Sequence, residues 1–218
     1  MMNVKLISYS QPPAGSELSD DLLQMVAYCA RVSNPGNQIN EATSEKLVKY
    51  LIKNQHWSPL EMVSACLEID TTRDIGRQLL RHRSFSFQEF SQRYADPTKD
   101  MSFVRRGARL QDPKNRQNSI DAAPQVVQDL WDIKQLEVIN KAREVYEWAI
   151  KEGIAKEQAR SVLPEGNTMS RLYVNGTLRS WIHYIQLRAA NGTQQEHMDI
   201  AKVVGKVIYE IFPLDDII

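Results

Sequence analysis

Residues 81–94 read Arg81-His82-Arg83-Ser84-Phe85-Ser86-Phe87-Gln88-Glu89-Phe90-Ser91-Gln92-Arg93-Tyr94, and no other window of comparable length sets so many charged and hydrogen-bonding side chains among aromatic ones. Arg81, Arg83 and Arg93 are permanently charged planar forks suited to phosphate or carboxylate, while His82, Ser86, Glu89 and Ser91 can orient polar groups on a ring. A phosphate together with a heterocycle indicates a nucleotide. Composition alone also allows a solvated basic turn bearing surface arginines. The interleaving of Phe85, Phe87, Phe90 and Tyr94 with polar residues favours a half-buried extended segment that holds its polar groups in a fixed direction.

Upstream, Asp74 to Leu80 reads as a short helix that sets Gln78 three residues before Arg81, on one face able to grip one ligand. Before it, Val63, Ala65, Leu67 and Ile69 alternate with Ser64, Cys66, Glu68 and Asp70, the period of a strand with one face on a core. The turn Asn54-Gln55-His56-Trp57-Ser58-Pro59-Leu60-Glu61 reads by itself as a packed corner. A helix leads into that turn, with Thr43 or Ser44 as cap, Leu47, Val48, Leu51 and Ile52 at helical spacing, and Asn54 as its stop. Nearer the N-terminus, Asn3 to Ser8 alternates as an opening strand, broken by Gln11 to Gly15. The helix after it takes Ser19 or Asp20 as cap, turns Leu22, Leu23, Met25, Val26 and Cys29 inward, and ends before Asn34-Pro35-Gly36.

Downstream, Ala95 to about Asp132 is rich in Pro, Gln, Asn and Arg, with Met101 to Arg106 as a candidate strand. So long a polar loop in a compact domain indicates a lid, an interface arm or a mobile surface segment, and we read it as covering a ligand or a partner subunit. The longest helix is expected from Trp131 to Gly153, with a stripe of Ile133, Leu136, Ile139, Ala142, Val145, Ala149 and Ile150 assigned to the core. Ile154 to Leu163 reads as a helical piece halted by Pro164, with Glu157 and Arg160 on one face; by themselves these two make a surface ion pair. Thr177 to Ala190 is helical, with Trp181, Ile182 and Ile185 for packing, Arg179 and His183 four apart, and Arg188 near its end. The last helix starts from a capping box, Thr193-Gln194-Gln195-Glu196, and buries Ile200, Val203, Val204, Val207, Ile208 and Ile211.

At 218 residues the chain can bury a real core, and with no linker in view residues 1–218 are read as a single domain. Lys plus Arg and Asp plus Glu stand at 27 each, so no global positive field speaks for nucleic acid or an anionic membrane. Cys29 and Cys66 lie in apolar surroundings without a Cys-x-x-Cys spacing, and read as free buried thiols of a reducing cytoplasm. No apolar run approaches membrane-spanning length, and the N-terminus lacks a basic-then-hydrophobic signal, so a soluble, cytoplasmic protein is expected. The histidines have no metal-ligand spacing, so no metal is expected. With neither G-x-G-x-x-G nor a phosphate loop, a dinucleotide has no Rossmann turn to sit on.

Arg81-His82-Arg83, then seven residues, then Ser91 resembles the signature of the flavin-dependent thymidylate synthases, and Ser86-x-x-Glu89-x-Ser91-x-Arg93-Tyr94 matches its longer form. Gln88 stands where many members carry Asn, keeping the amide but lengthening its reach. Ala30-Arg31-Val32-Ser33, the His56-Trp57-Ser58-Pro59-Leu60-Glu61 turn, Glu157-x-x-Arg160-x-x-Leu163-Pro164, and Asn175 to His183 followed by Leu187-Arg188 resemble other elements of that family. One departure stands out: Gly192 occupies a position where many members have His, and His197 lies beyond the turn in a different helix.

The resemblance implies reductive methylation of dUMP to dTMP, with methylenetetrahydrofolate as carbon donor, FAD as hydride carrier and NADPH as reductant. It also implies a homotetramer whose sites are shared between subunits. Carried over residue by residue, Gln78, Arg81, Glu89, Ser91, Arg93, Arg160 and Arg188 would hold dUMP. Ser33, His56, Ser58, His82, Arg83, Thr177, Arg179 and His183 would face FAD, with Arg81 and Glu89 close to both ligands. Arg188 is the catalytic residue expected to polarise the pyrimidine, by charge fixed where negative charge develops.

A thiolate that attacks the ring is the other route to a nucleophilic C5, but both cysteines lie outside the polar clusters. Ser91 has no evident activating base and reads as a hydrogen-bonding ligand. The expected fold is α/β in the α+β sense, a single domain with an antiparallel sheet packed by helices. Two rivals remain at this stage: a non-catalytic nucleotide- or RNA-binding module that uses residues 81–94 as a basic-aromatic patch, and an inactive relative that keeps fold and flavin but not turnover.

Overall fold

The computed structural model describes residues 2–18 and 20–214. Its first half runs β1 (Asn3–Tyr9), α1 (Leu22–Ala30), α2 (Ser44–Lys53), β2 (Ser64–Thr72), α3 (Arg73–Leu79), β3 (Ser86–Glu89) and a single turn α4 (Pro97–Asp100). A small hairpin of β4 (Leu110–Gln111) and β5 (Ser119–Ile120) follows, then α5 (Gln125–Lys151), α6 (Lys156–Ala159), β6 (Met169–Thr177), α7 (Leu178–Arg188) and α8 (Gln195–Ile211).

The main sheet has the order β1-β2-β6-β3, and every pairing is antiparallel. Leu67 lies opposite Val174 and Ile69 opposite Leu172, so one face of the sheet is apolar. That face packs against Leu22 and Val26 of α1, Trp181 and Ile185 of α7, and Ile200 and Val204 of α8, all buried. Trp181 satisfies its indole N–H by donating to the Ala65 carbonyl at 3.0 Å. The opposite face carries Glu68, Asp70, Arg171 and Tyr173, with Arg171 giving Asp70 two hydrogen bonds of 2.7 and 2.9 Å. The expected mixed fold of helices on an antiparallel sheet is present. Among the described residues, no helix is long and apolar enough to cross a membrane.

β6 is absent from the sequence reading, although it is interior to the sheet. Its alternation of Leu172 and Val174 with Arg171, Tyr173 and Asn175 is regular, but Asn175-Gly176 mimics a turn. Gly176 is needed for a close approach: a Cβ there would stand 2.3 Å from Phe85 Cδ1. Phe85 therefore lies flat on the backbone of β6, anchoring the start of the 81–94 stretch.

Other expectations need correction. Asp21 caps α1, accepting from Leu23 N at 2.7 Å, in place of Asp20; Ser19 lies outside the described residues. Thr43 and Ser44 make no cap bond because Arg31 takes their hydroxyls, at 2.9 and 3.2 Å. The 193–196 capping box does not form: Gln194 is the N-cap position and Glu196 turns to Arg109. Met101 to Arg106 is no strand beyond one bridge, Phe103 with Thr168, because Arg106 and the Gln135 side chain pull it elsewhere.

Helix α5 starts at Gln125, well before Trp131, and its stripe is core only in part. Ile139, Ala142 and Ala149 are buried, but Ile133 is 51% and Leu136 42% exposed, beside exposed Val126, Leu130, Trp131 and Val138. The N-terminal half of the helix extends past the core it was expected to cover. Val203 of α8 is likewise exposed, and α7 stops at Arg188, short of Ala190. Cys29 and Cys66 are free but only half-buried, and burial raises both thiols above their ordinary range.

Candidate active site

The stretch 81–94 begins just past the end of α3, turns at His82 and returns as β3 on the edge of the sheet. Arg188, at the last turn of α7, donates from Nε to His82 Nε2 at 2.9 Å. His82 is thereby fixed as an acceptor at Nε2, and its remaining ring edges meet Phe85, Tyr184 and His197. Burial first, then the charges of Arg188 and Arg81, pushes His82 down to about 4. At neutral pH it carries no charge to compete with Arg188.

His197 of α8 is wholly buried next to the same group. Its Nδ1 lies 3.1 Å from Gln78 Oε1, and its Nε2 is buried without a hydrogen-bond partner. Burial, with Arg188 and His82 adding to it, lowers His197 to about 3. The Tyr184 hydroxyl is a second buried orphan, and burial raises it above the usual phenol range. Gln78 turns toward α8 while Arg81, just past the end of α3, is exposed, so the shared face expected for the pair does not form.

Glu89 sits at the end of β3, where its carboxylate takes Arg73 at 3.2 Å, Arg77 at 3.2 Å and the Ser170 hydroxyl at 3.0 Å. Arg73 is buried and draws in Glu165 at 3.9 Å, and it lies within the field of Arg160. Arg93 pairs with Glu157 at 3.6 Å, so the expected Glu157–Arg160 partnership is replaced by a link from the signature to α6. Among the described residues, the Ser91 hydroxyl accepts only from the Arg93 backbone N–H, at 3.4 Å.

The 54–61 turn packs against α7. Trp57 meets His183 edge-on with ring centroids 4.3 Å apart, and Arg179 pairs with Glu61 while its buried Nε has no partner. Burial and the Arg179 charge lower His183. Thr177 caps α7 through its hydroxyl, which accepts from Ser180 N at 3.3 Å. Ser33, His56, Ser58 and Arg83 are exposed.

The structure thus gathers Gln78, His82 and Arg188 in one enclosed group. Glu89 and Arg160 stand with Arg73, while Arg179, His183 and the 56–58 turn form a third group. Ser33 joins none of them. The sequence reading missed Arg73, Arg77, Tyr184, Gln194 and His197. Arg73 and Arg77 were findable, since both fall on the α3 face that continues to Arg81. His197 was not, because it meets Gln78 across 119 residues.

The profile of the family described as "Thymidylate synthase complementing protein" matches residues 17–214. The "Probable flavin-dependent thymidylate synthase" of Paramecium bursaria Chlorella virus 1 is 46% identical over 213 residues, 97% of this chain and 96% of the relative. The chain belongs to the flavin-dependent thymidylate synthase family. The "Flavin-dependent thymidylate synthase" of Synechocystis sp. is likewise 46% identical, over 215 residues, with 97% and 96% of the two chains covered. In structure, the chain resembles a UMP/dUMP methylase PolB from Streptomyces cacaoi, crystallised with 5-Br dUMP. The TM-score is 0.82 at 25% identity, covering 98% of this chain and 92% of that one. As a flavin-dependent thymidylate synthase, the chain converts dUMP to dTMP.

Proposed function

We propose that the chain acts as one catalytic domain in the cytoplasm. Arg188 polarises the uracil, and Gln78, Arg81, Glu89, Ser91, Arg93 and Arg160 hold dUMP. The observation that carries this reading is the His82–Arg188 pair: a guanidinium fixed at one edge by a neutral imidazole keeps its full charge and its remaining N–H donors for a ligand. Charge fixed in advance at a carbonyl that gains negative charge lowers the barrier without reorganisation. No thiolate is needed, and both thiols are held protonated by burial.

The residues fit FAD. Arg81 and Arg83 are exposed cations two residues apart in sequence, suited to a diphosphate, and Arg179 offers a buried Nε with no partner among the described residues. His82, His183, His56, Ser58, Ser33 and Thr177 complete the set, although Thr177 must share its hydroxyl with the α7 cap. When bound, FAD supplies the hydride that reduces the transferred one-carbon unit. Methylenetetrahydrofolate is the carbon donor and NADPH the reductant in this reading.

The assembly is a homotetramer with shared sites. The exposed apolar half of α5, with Val126, Leu130, Trp131, Ile133 and Leu136 in solvent, supports it, because faces of this kind on soluble chains mark association surfaces. The test is the visible spectrum of protein mixed with FAD, repeated after NADPH without oxygen, with and without dUMP, followed by a dTMP assay. Stoichiometric flavin that bleaches faster with dUMP, and dTMP that forms only with methylenetetrahydrofolate, are expected. Failure to take up flavin would overturn the reading. Sedimentation of Leu136→Glu tests the assembly: a smaller species is expected, and an unchanged one removes α5 from the interface.

A further inference from the structure

One partly buried polar chain runs from the 95–124 region to Gln78 and ends on the buried His197. Arg109 Nη2 donates to Glu196 Oε1 at 2.5 Å, and Gln194 Nε2 donates to Glu196 Oε2 at 3.0 Å. Gln78 Nε2 then donates to Gln194 Oε1 at 2.8 Å, which leaves Gln78 Oε1 facing His197 Nδ1 at 3.1 Å. An ionised carboxylate only accepts hydrogen bonds, whereas each amide accepts at one end and donates at the other. The direction of the whole chain therefore follows from Glu196. Its carboxylate demands the Gln194 amide N–H, which turns the Gln194 oxygen to Gln78, and this in turn fixes the Gln78 amide and places a proton on His197 Nδ1.

Both ends of the chain are held. Burial works against the Glu196 charge, but hydrogen bonds from Arg109 and Gln194 outweigh it and keep the carboxyl below its usual range. The Gln194 backbone carbonyl accepts from His197 N and Met198 N, both at 2.9 Å, so its side chain starts from a fixed helical end. At the far end, the buried His197 Nε2 has no hydrogen-bond partner among the described residues, so the tautomer of His197 is set from Nδ1, through Gln78.

We propose that Glu196 is a positioning residue that, through Gln194 and with His197 as backstop, locks the Gln78 amide in one orientation and so determines which hydrogen bonds Gln78 offers to the nucleotide. This rests on Gln78 being a dUMP ligand. It gives Arg109, in the segment that the sequence reads as covering a ligand or a partner subunit, the task of holding Glu196 ionised. It also gives His197 a function other than that of the His that relatives carry at the position of Gly192: His197 acts on the amide and not on the substrate.

The test uses the full chain with bound FAD, labelled with ¹⁵N in its four histidines, and the Glu196→Gln, His197→Asn and Gln78→Ala variants. Glu196→Gln can both donate and accept, so the chain loses its direction. At neutral pH, wild-type His197 should show a single protonated Nδ1 and an unprotonated Nε2, and Glu196→Gln should convert this to a mixture. The dissociation constant of dUMP, read from the flavin absorbance, should rise about tenfold, the cost of one misdirected hydrogen bond. Flavin affinity and melting temperature should stay near wild type, which a merely structural role for Glu196 does not predict. A wild-type His197 protonated at Nε2, or unchanged dUMP affinity in Glu196→Gln while Gln78→Ala binds weakly, overturns the proposal. If Gln78→Ala itself binds dUMP normally, the role of Gln78 in substrate binding falls instead, and the tautomer signal alone reports on the chain.

Discussion

Around Arg188, His82 takes the guanidinium, and beside that pair Glu196, Gln194 and Gln78 are joined in a hydrogen-bonded chain that ends on His197. Arg81, Arg83, Arg93 and Tyr94, from the very stretch that contains His82, stand in solvent, with Tyr94 80% exposed. The first region is hydrogen-bonded within one chain except at the Tyr184 hydroxyl and His197 Nε2; the second offers side-chain donors that no described residue takes up, apart from the Arg93–Glu157 contact. The contrast separates two ways of building a site. Groups that must keep one protonation state and one direction are enclosed, and groups that meet a charged, mobile ligand are left open until ligand or a further subunit covers them.

The contrast can be broken most directly at Arg188. Arg188→Ala should lower dTMP formation by about 100-fold or more, the range for loss of one preorganised donor, while flavin absorbance shows the cofactor still bound. Near-normal turnover would remove Arg188 from the chemistry. Glu89→Gln comes next, because it leaves the buried Arg73 without its main counter-charge. The expected loss is about 3 kcal/mol of stability, read by denaturant unfolding. A stable Glu89→Gln protein would mean that Glu165 is sufficient for Arg73.

Acid should act on the enclosed region through its two histidines. His82 and His197 are depressed to about 4 and about 3 in the fold, against about 6.5 in the unfolded chain. Between those values the unfolded state binds more protons, so their contribution to stability is fully present above about 6.5 and is lost as pH falls toward 4. Melting temperature followed from pH 7 to pH 4 should fall, and less so in His82→Gln. An identical acid profile in that variant would mean that His82 is not held neutral. The open region gives the smallest structural effect. Ser91→Ala should change stability by no more than about 0.5 kcal/mol yet weaken dUMP binding more than the chemical step. A dead enzyme with unchanged dUMP affinity would reopen the question of a Ser91 nucleophile.

Much of this was readable along the chain. The alternation of β1 and β2, the apolar faces of α1 and α2, and the polar-aromatic density of residues 81–94 all follow from local period and composition, and local order is where sequence speaks plainly. Arg188 was placed by its likeness to a family element, and its partner His82 by the signature, but their 2.9 Å contact is a fact of packing. What stayed hidden depends on distant partners. Glu196 reads as half of a capping box because nothing nearby announces Arg109, and Thr43 reads as a cap because nothing announces Arg31. The stripe on α5 is a correct helical pattern whose covering surface is not in this chain segment, so periodicity alone assigned it to a core it only partly reaches.

The strand order β1-β2-β6-β3 also bears on how the protein comes into being. β6 follows every other strand in sequence yet lies between two of them, and Ser64 waits for Thr177 before their pairing can close. Contacts so far apart fold slowly, since the chain must meet the entropy of a long loop before any pairing rewards it. During synthesis, one edge of β2 therefore stays bare and β3 has no neighbour until the final quarter of the polypeptide has emerged. Fragments that end before residue 169 are expected to aggregate through that bare edge, and the nascent chain to depend on chaperones, whatever the stability of the finished fold.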